Sequence, residues 1–122
     1  MSYSSCATVL LLGLLASAPV GAHHGWAWAS GEEFSLAGTI KQVRHGNPHG
    51  EMVLATPSGD WTVEIGQPWR NERAGLTQAL LKPGTKLRVH GHRSARVNQR
   101  LMKAERVVVA GKSFNLYPDR PS

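Results

Sequence analysis

Five short strand-like stretches, grouped three and two around a helical interruption, constrain this chain more than any other feature. Phe34, Leu36, Gly38 and Ile40 alternate with Ser35, Ala37, Thr39 and Lys41, the period of a strand with one face in a core. Residues 52–56 read as a second strand. Pro57-Ser58-Gly59-Asp60 is a hairpin turn into a third strand at 61–65. A fourth is expected over 86–93 and a fifth over 101–109, followed by a short apolar end at 114–117. Between the third and fourth, Pro68 is placed to open a short helix through Arg73, with Gly75 closing it. A further helical turn over 77–81 precedes Lys82-Pro83-Gly84, and Trp69 and Leu76 are expected to pack the insert onto the strands. Three strands, a helical insert and two strands is the order of an all-β, five-stranded OB-like barrel with the insert at one end. An open sheet or a small sandwich fits the same local pattern.

Upstream of the strands lies a different kind of sequence. Residues 7–15 are apolar apart from Thr8, and small residues lead to Ala22, with Val20 and Ala22 in the −3 and −1 places of a cleavage site. The run falls short of the roughly 20 apolar residues a membrane span needs. Residues 1–22 are therefore expected to be a secretory signal peptide that leaves a periplasmic or secreted protein without a stable membrane anchor. The expected divisions are then an extended arm at 23–33, a barrel at 34–117 and a tail at 118–122. The single cysteine, Cys6, departs with the leader, so the mature chain has neither disulfides nor thiolate ligands. The formal charge of +6 stays with the mature part and favours solubility and anionic partners.

Cleavage after Ala22 makes His23 the first residue. Its free amine and its imidazole Nδ1 then form a two-nitrogen chelate, and His24 adds a further donor. Such nitrogen-rich sites suit Cu(II), which tops the divalent affinity order and favours tetragonal geometry. His49, beside the Asn47-Pro48 turn, is the candidate third nitrogen in a T-shaped set, provided the arm lies next to the first loop. Its bland role is that of a turn residue bonding backbone. His90 and His92 are two apart on a strand and so share a face; with Arg88 and Arg93 beside them, a solvated basic face is expected. His45 carries less of the argument still.

Enzymatic motifs are sparse. The carboxylates form no recognisable pair and no glycine-rich phosphate loop precedes a helix. A binding protein is expected, with an oxidative copper enzyme as the minor alternative. Arg88, Arg93, Arg96, Arg100, Lys103 and Arg106 cluster late in the chain, but no aromatic residue lies between Trp69 and Phe114. Base stacking needs interleaved aromatics, so the cluster reads as a solvated strand face and argues against nucleic acid. A metal ion or a periplasmic partner protein is the expected partner. The competing reading is a metal-free barrel that binds an anionic ligand or partner protein.

The motifs fall in a recognisable order: Ala22-His23-His24-Gly25-Trp26, Asn47-Pro48-His49, Trp61, Ala74-Gly75-Leu76 and Leu81-Lys82-Pro83-Gly84. In this the chain resembles a bacterial exported family of small proteins catalogued as a domain of unknown function. The resemblance covers nearly all of the mature part. It implies a small periplasmic β-barrel without an established activity, and it implies that His23, His24 and His49 belong to one shared pattern.

Overall fold

The computed structural model describes residues 25–120. Six strands and one helix follow in order: β1 (Phe34–Arg44), β2 (Glu51–Thr56), β3 (Gly59–Glu64), α1 (Pro68–Arg73), β4 (Lys86–Arg93), β5 (Leu101–Val109) and β6 (Lys112–Asn115). The first three strands form an antiparallel meander, and β1 also pairs antiparallel with β4, which pairs antiparallel with β5. A parallel pairing of β3 with β5, from Thr62↔Leu101 to Glu64↔Lys103, joins the two free edges. Five strands thus close in the order β1-β2-β3-β5-β4, which is the OB arrangement. The open-sheet and sandwich alternatives fall with that closure.

The apolar end expected at 114–117 is in part a sixth strand. Ala110 and Gly111 both have positive φ, 49° and 78°, as a two-residue type I′ turn requires. They return the chain antiparallel along β5, pairing Val109 with Lys112 and Val107 with Phe114.

Two β-bulges keep the alternation in phase with the barrel interior. In β1 the register slips between Ile40 and Gln42, so Lys41 is the additional residue. In β5 it slips opposite His90 and Gly91, so that Glu105 is inserted between Ala104 and Arg106. Without the second bulge the period of two would carry Met102, Ala104 and Arg106 inward and expel Val107. With it, Val107 is fully buried while Arg106 stays half-buried. Each slip coincides with two adjacent polar residues, Lys41-Gln42 and Glu105-Arg106. A bulge is the local irregularity that lets such a pair occur in a half-buried strand.

The core gathers Ile40, Met52, Leu54, Val63, Val89, Met102 and Val107 from the strands, with Leu76 and Leu81 from the insert. Phe34 stacks on Trp61 at 5.1 Å, and the Arg93 guanidinium lies 5.1 Å from the Trp61 ring centre and 5.3 Å from that of Phe34. Helix α1 is fixed by Asn71, whose buried amide both accepts from Gly66 N–H and donates to Gly66 C=O, each at 2.9 Å. Trp69 departs from expectation. It is 52% exposed and donates from Nε1 to Gln67 Oε1 rather than packing on the barrel. The helix turns about 100° per residue, so with Asn71 facing inward, Trp69 two residues earlier faces outward. Leu76, 2% exposed, is the residue that seats the insert.

Candidate metal-binding site under the N-terminal arm

A polar layer lies on the outer face of β3, β4 and β5. Glu64, His92, Lys103 and Glu105 occupy outward strand positions, yet all are buried, because the segment from Gly25 to Glu33 and the tail beyond β6 lie over them. Backbone bonds tie that segment to the end of β4: Ser30 N–H donates to Arg93 C=O at 2.8 Å and Ala95 N–H to Trp28 C=O at 2.9 Å, with a bridge between Ala29 and Ser94. Trp26 is the lid. Its ring meets His92 and Tyr117 edge-on at 5.7 and 5.1 Å, and the Arg120 guanidinium sits 3.9 Å from its centre.

Two sequence expectations are corrected here. The sequence pattern puts His92 on a solvated basic face and Lys103 in a solvated basic cluster, whereas the two are 5% and 4% exposed. The strand parity holds, since His90 and His92 do face outward together. The arm covers His92 and leaves His90 half-exposed. Burying Lys103 without a partner would be costly, and the chain supplies one: Nζ donates to Glu64 Oε1 at 2.7 Å.

His49 lies beside this pair, its Nε2 3.5 Å from Glu64 Oε1 and its Nδ1 3.4 Å from Gly50 C=O. It lines a cavity of about 540 Å³ together with Gly25, Trp26, Trp28, Pro48, Glu64, Gln67, Arg70, Lys103 and Tyr117. Burial pushes the Tyr117 phenol above its usual range; Glu64 adds to the rise, and Arg70 and Arg120 oppose it. The Arg70 guanidinium is itself engaged, 4.3 Å from the Tyr117 ring and donating to Leu116 C=O at 3.1 Å.

A second group also lies against Trp26, whose ring is 5.7 Å from that of His92. His92 Nε2 is 2.6 Å from Glu105 Oε1 and 3.4 Å from Glu33 Oε1, and Arg120 Nε donates to Glu105 Oε1 at 3.2 Å. The imidazole nitrogen and the two carboxylates lie within 4.8 Å of one another, so they form a possible metal-ligand set. His90 stands at its margin. Desolvation lowers its pKa, with Arg106 and Arg88 adding to the fall and Glu33 opposing it.

Of the ligands expected from sequence, His23 and His24 lie outside the described residues. His49 is in the cavity, with Gly25 and Trp26 across from it. His45 lines a different cavity, against Asn71, Glu72 and Leu76. The Glu33, His92 and Glu105 group is not among the sequence expectations. Its one signal is the adjacent Glu105-Arg106 pair in a strand otherwise apolar but for Lys103. Nothing local says that Glu33 folds back onto β4.

These features define a small OB-type barrel whose outer face carries a buried polar layer of Glu64, His92, Lys103 and Glu105 beneath an N-terminal arm. The chain belongs to DUF6152, a family of unknown function, whose model matches residues 12–102. No curated protein matches it. Among solved structures it is similar to TiaS in a complex with tRNA and ATP, at 14% identity and TM-score 0.50, over 64% of this chain and 18% of that one. It is also similar to the S. pombe Stn1–Ten1 complex, at 11% identity and TM-score 0.51, over 66% of this chain and 59% of that one. The chain spans less than a fifth of the first of these, and at such identities the likeness is one of fold.

Proposed function

We propose that this is an exported, periplasmic protein that binds Cu(II) through the α-amine and imidazole of His23 together with His49, with His24 as an alternative donor. The observation that carries the reading is the shared cavity: Gly25 and Trp26, the residues directly after His24, line it with Pro48 and His49. Two Cα steps of about 3.8 Å each tie His23 to Gly25, which supports one ion shared by the chelate and His49. Glu64 adds an acceptor oxygen at the same place and neutralises Lys103, which would otherwise repel a cation. Three nitrogens in one plane leave further positions open, the arrangement of a site that holds and hands on copper. Its ligands must be deprotonated, so affinity falls as pH drops below the histidine range.

The test is electron paramagnetic resonance of the Cu(II)-loaded mature chain beside His49→Ala. The reading expects nitrogen coupling to fall from three nitrogens to two, with affinity weakened at least about tenfold, as loss of a ligand entails. An unchanged spectrum and affinity would remove His49 from the site. One observation favours a second reading, in which the barrel binds an anionic ligand or partner protein without metal. Trp69, Arg70 and Arg73 line an open groove of about 410 Å³. That reading expects metal-independent binding to polyanions that weakens with salt.

A further inference from the structure

The group formed by Glu33, His92 and Glu105 is separate from the proposed terminal chelate, and we infer that it is a second metal site, for a divalent cation of the Zn(II) class. Three residues from three parts of the chain converge there: Glu33 just before β1, His92 from β4 and Glu105 from the β5 bulge, their ligand atoms within 4.8 Å of one another. An imidazole with two carboxylates is a mixed nitrogen–oxygen set that suits Zn(II). Three protein ligands leave one position for water.

The burial of these groups is the independent observation. The Glu105 side chain is 1% exposed and the His92 side chain 7%. Glu105 Oε2 nonetheless has no hydrogen-bond partner among the described residues. Buried polar atoms are almost always satisfied, and each one left over calls for an explanation such as a bound ion. A cation seated against His92 Nε2, Glu33 and Glu105 Oε1 accounts for the convergence. It also leaves Glu105 Oε2 to take up either the metal or the Arg120 guanidinium, now 3.2 Å from Oε1. Glu33 is 51% exposed, so the site has an entry path from solvent. Occupancy would latch the arm to β4 and β5 through Glu33, His92 and Glu105.

Isothermal titration of the purified protein with zinc chloride tests this, using Glu33→Gln, Glu105→Gln and His49→Ala. Fluorescence quenching by Co(II), read in the His49→Ala background because Trp26 also lines the His49 cavity, gives a second readout, since the Trp26 ring lies 5.7 Å from that of His92. The expected result is one zinc equivalent that survives His49→Ala and weakens at least about tenfold in Glu33→Gln. The exposed Glu33 can be changed without touching the core, so this variant keeps the test valid if Glu105→Gln fails to fold. Co(II) quenching should be lost in parallel. The inference is overturned if the wild type binds no zinc, if Glu33→Gln binds it unchanged, or if His49→Ala alone abolishes it. The last outcome would leave only the terminal site, and loss of copper binding alone would leave this one standing.

Discussion

At the scale of single residues, the polar layer under the arm is held by charges that answer one another. Lys103 and Glu64 are both buried, and their 2.7 Å contact makes each dependent on the other. Breaking a buried pair from one side leaves an uncompensated charge, so Lys103→Met should cost about 3–5 kcal/mol. Lys103→Met with Glu64→Gln should recover most of that loss, and urea denaturation of the two variants measures the difference. His90 behaves differently because its lowered pKa disfavours the imidazolium in the folded protein. Above the usual value of 6.5 the ring is neutral whether folded or unfolded. As pH falls below it, the unfolded chain takes up the proton first and stability declines. His90→Gln should therefore lose less stability than the wild type between about pH 7.5 and about pH 5.5, measured by the same denaturation.

At the scale of elements, the β4–β5 pair decides both the barrel and the site. The Glu105 bulge sends Val107 into the core and keeps Lys103 and Glu105 in line with His92 on the outside. Gly91 makes it possible: a Cβ there would collide with the Lys103 carbonyl oxygen and crowd the Glu105 amide. Gly91→Ala should force the strands apart, costing about 1–3 kcal/mol or more. Thermal melting would show the loss, and amide exchange would place it in β4 and β5. Strand content is legible in the sequence because alternation is a local property, and Pro68 and Gly75 bracket α1 correctly. Trp69 misleads because its aromatic character suggests packing, whereas its direction is set by Asn71 two residues on. The bulges are visible only as paired polar residues, whose meaning depends on knowing which face is the interior.

At the scale of the whole molecule, closure by β3 and β5 turns one outer face into a floor, and the arm and tail roof it. Closure is not readable from the chain because it joins residues about forty positions apart. His49 is legible as a ligand candidate by residue type. The burial of His92 is not, since it rests on residues 25–33 docking against a strand more than fifty positions later. Copper binding where arm and barrel meet is the central claim. Its most direct test is a Cu(II) titration of the mature chain, its terminus verified by mass spectrometry, beside a chain with one extra residue before His23. Zinc held in excess occupies the Glu33, His92 and Glu105 group in both samples. Tight one-to-one copper binding that the extra residue abolishes is the predicted result. Equal binding in both chains, or none in either, would contradict the terminal chelate.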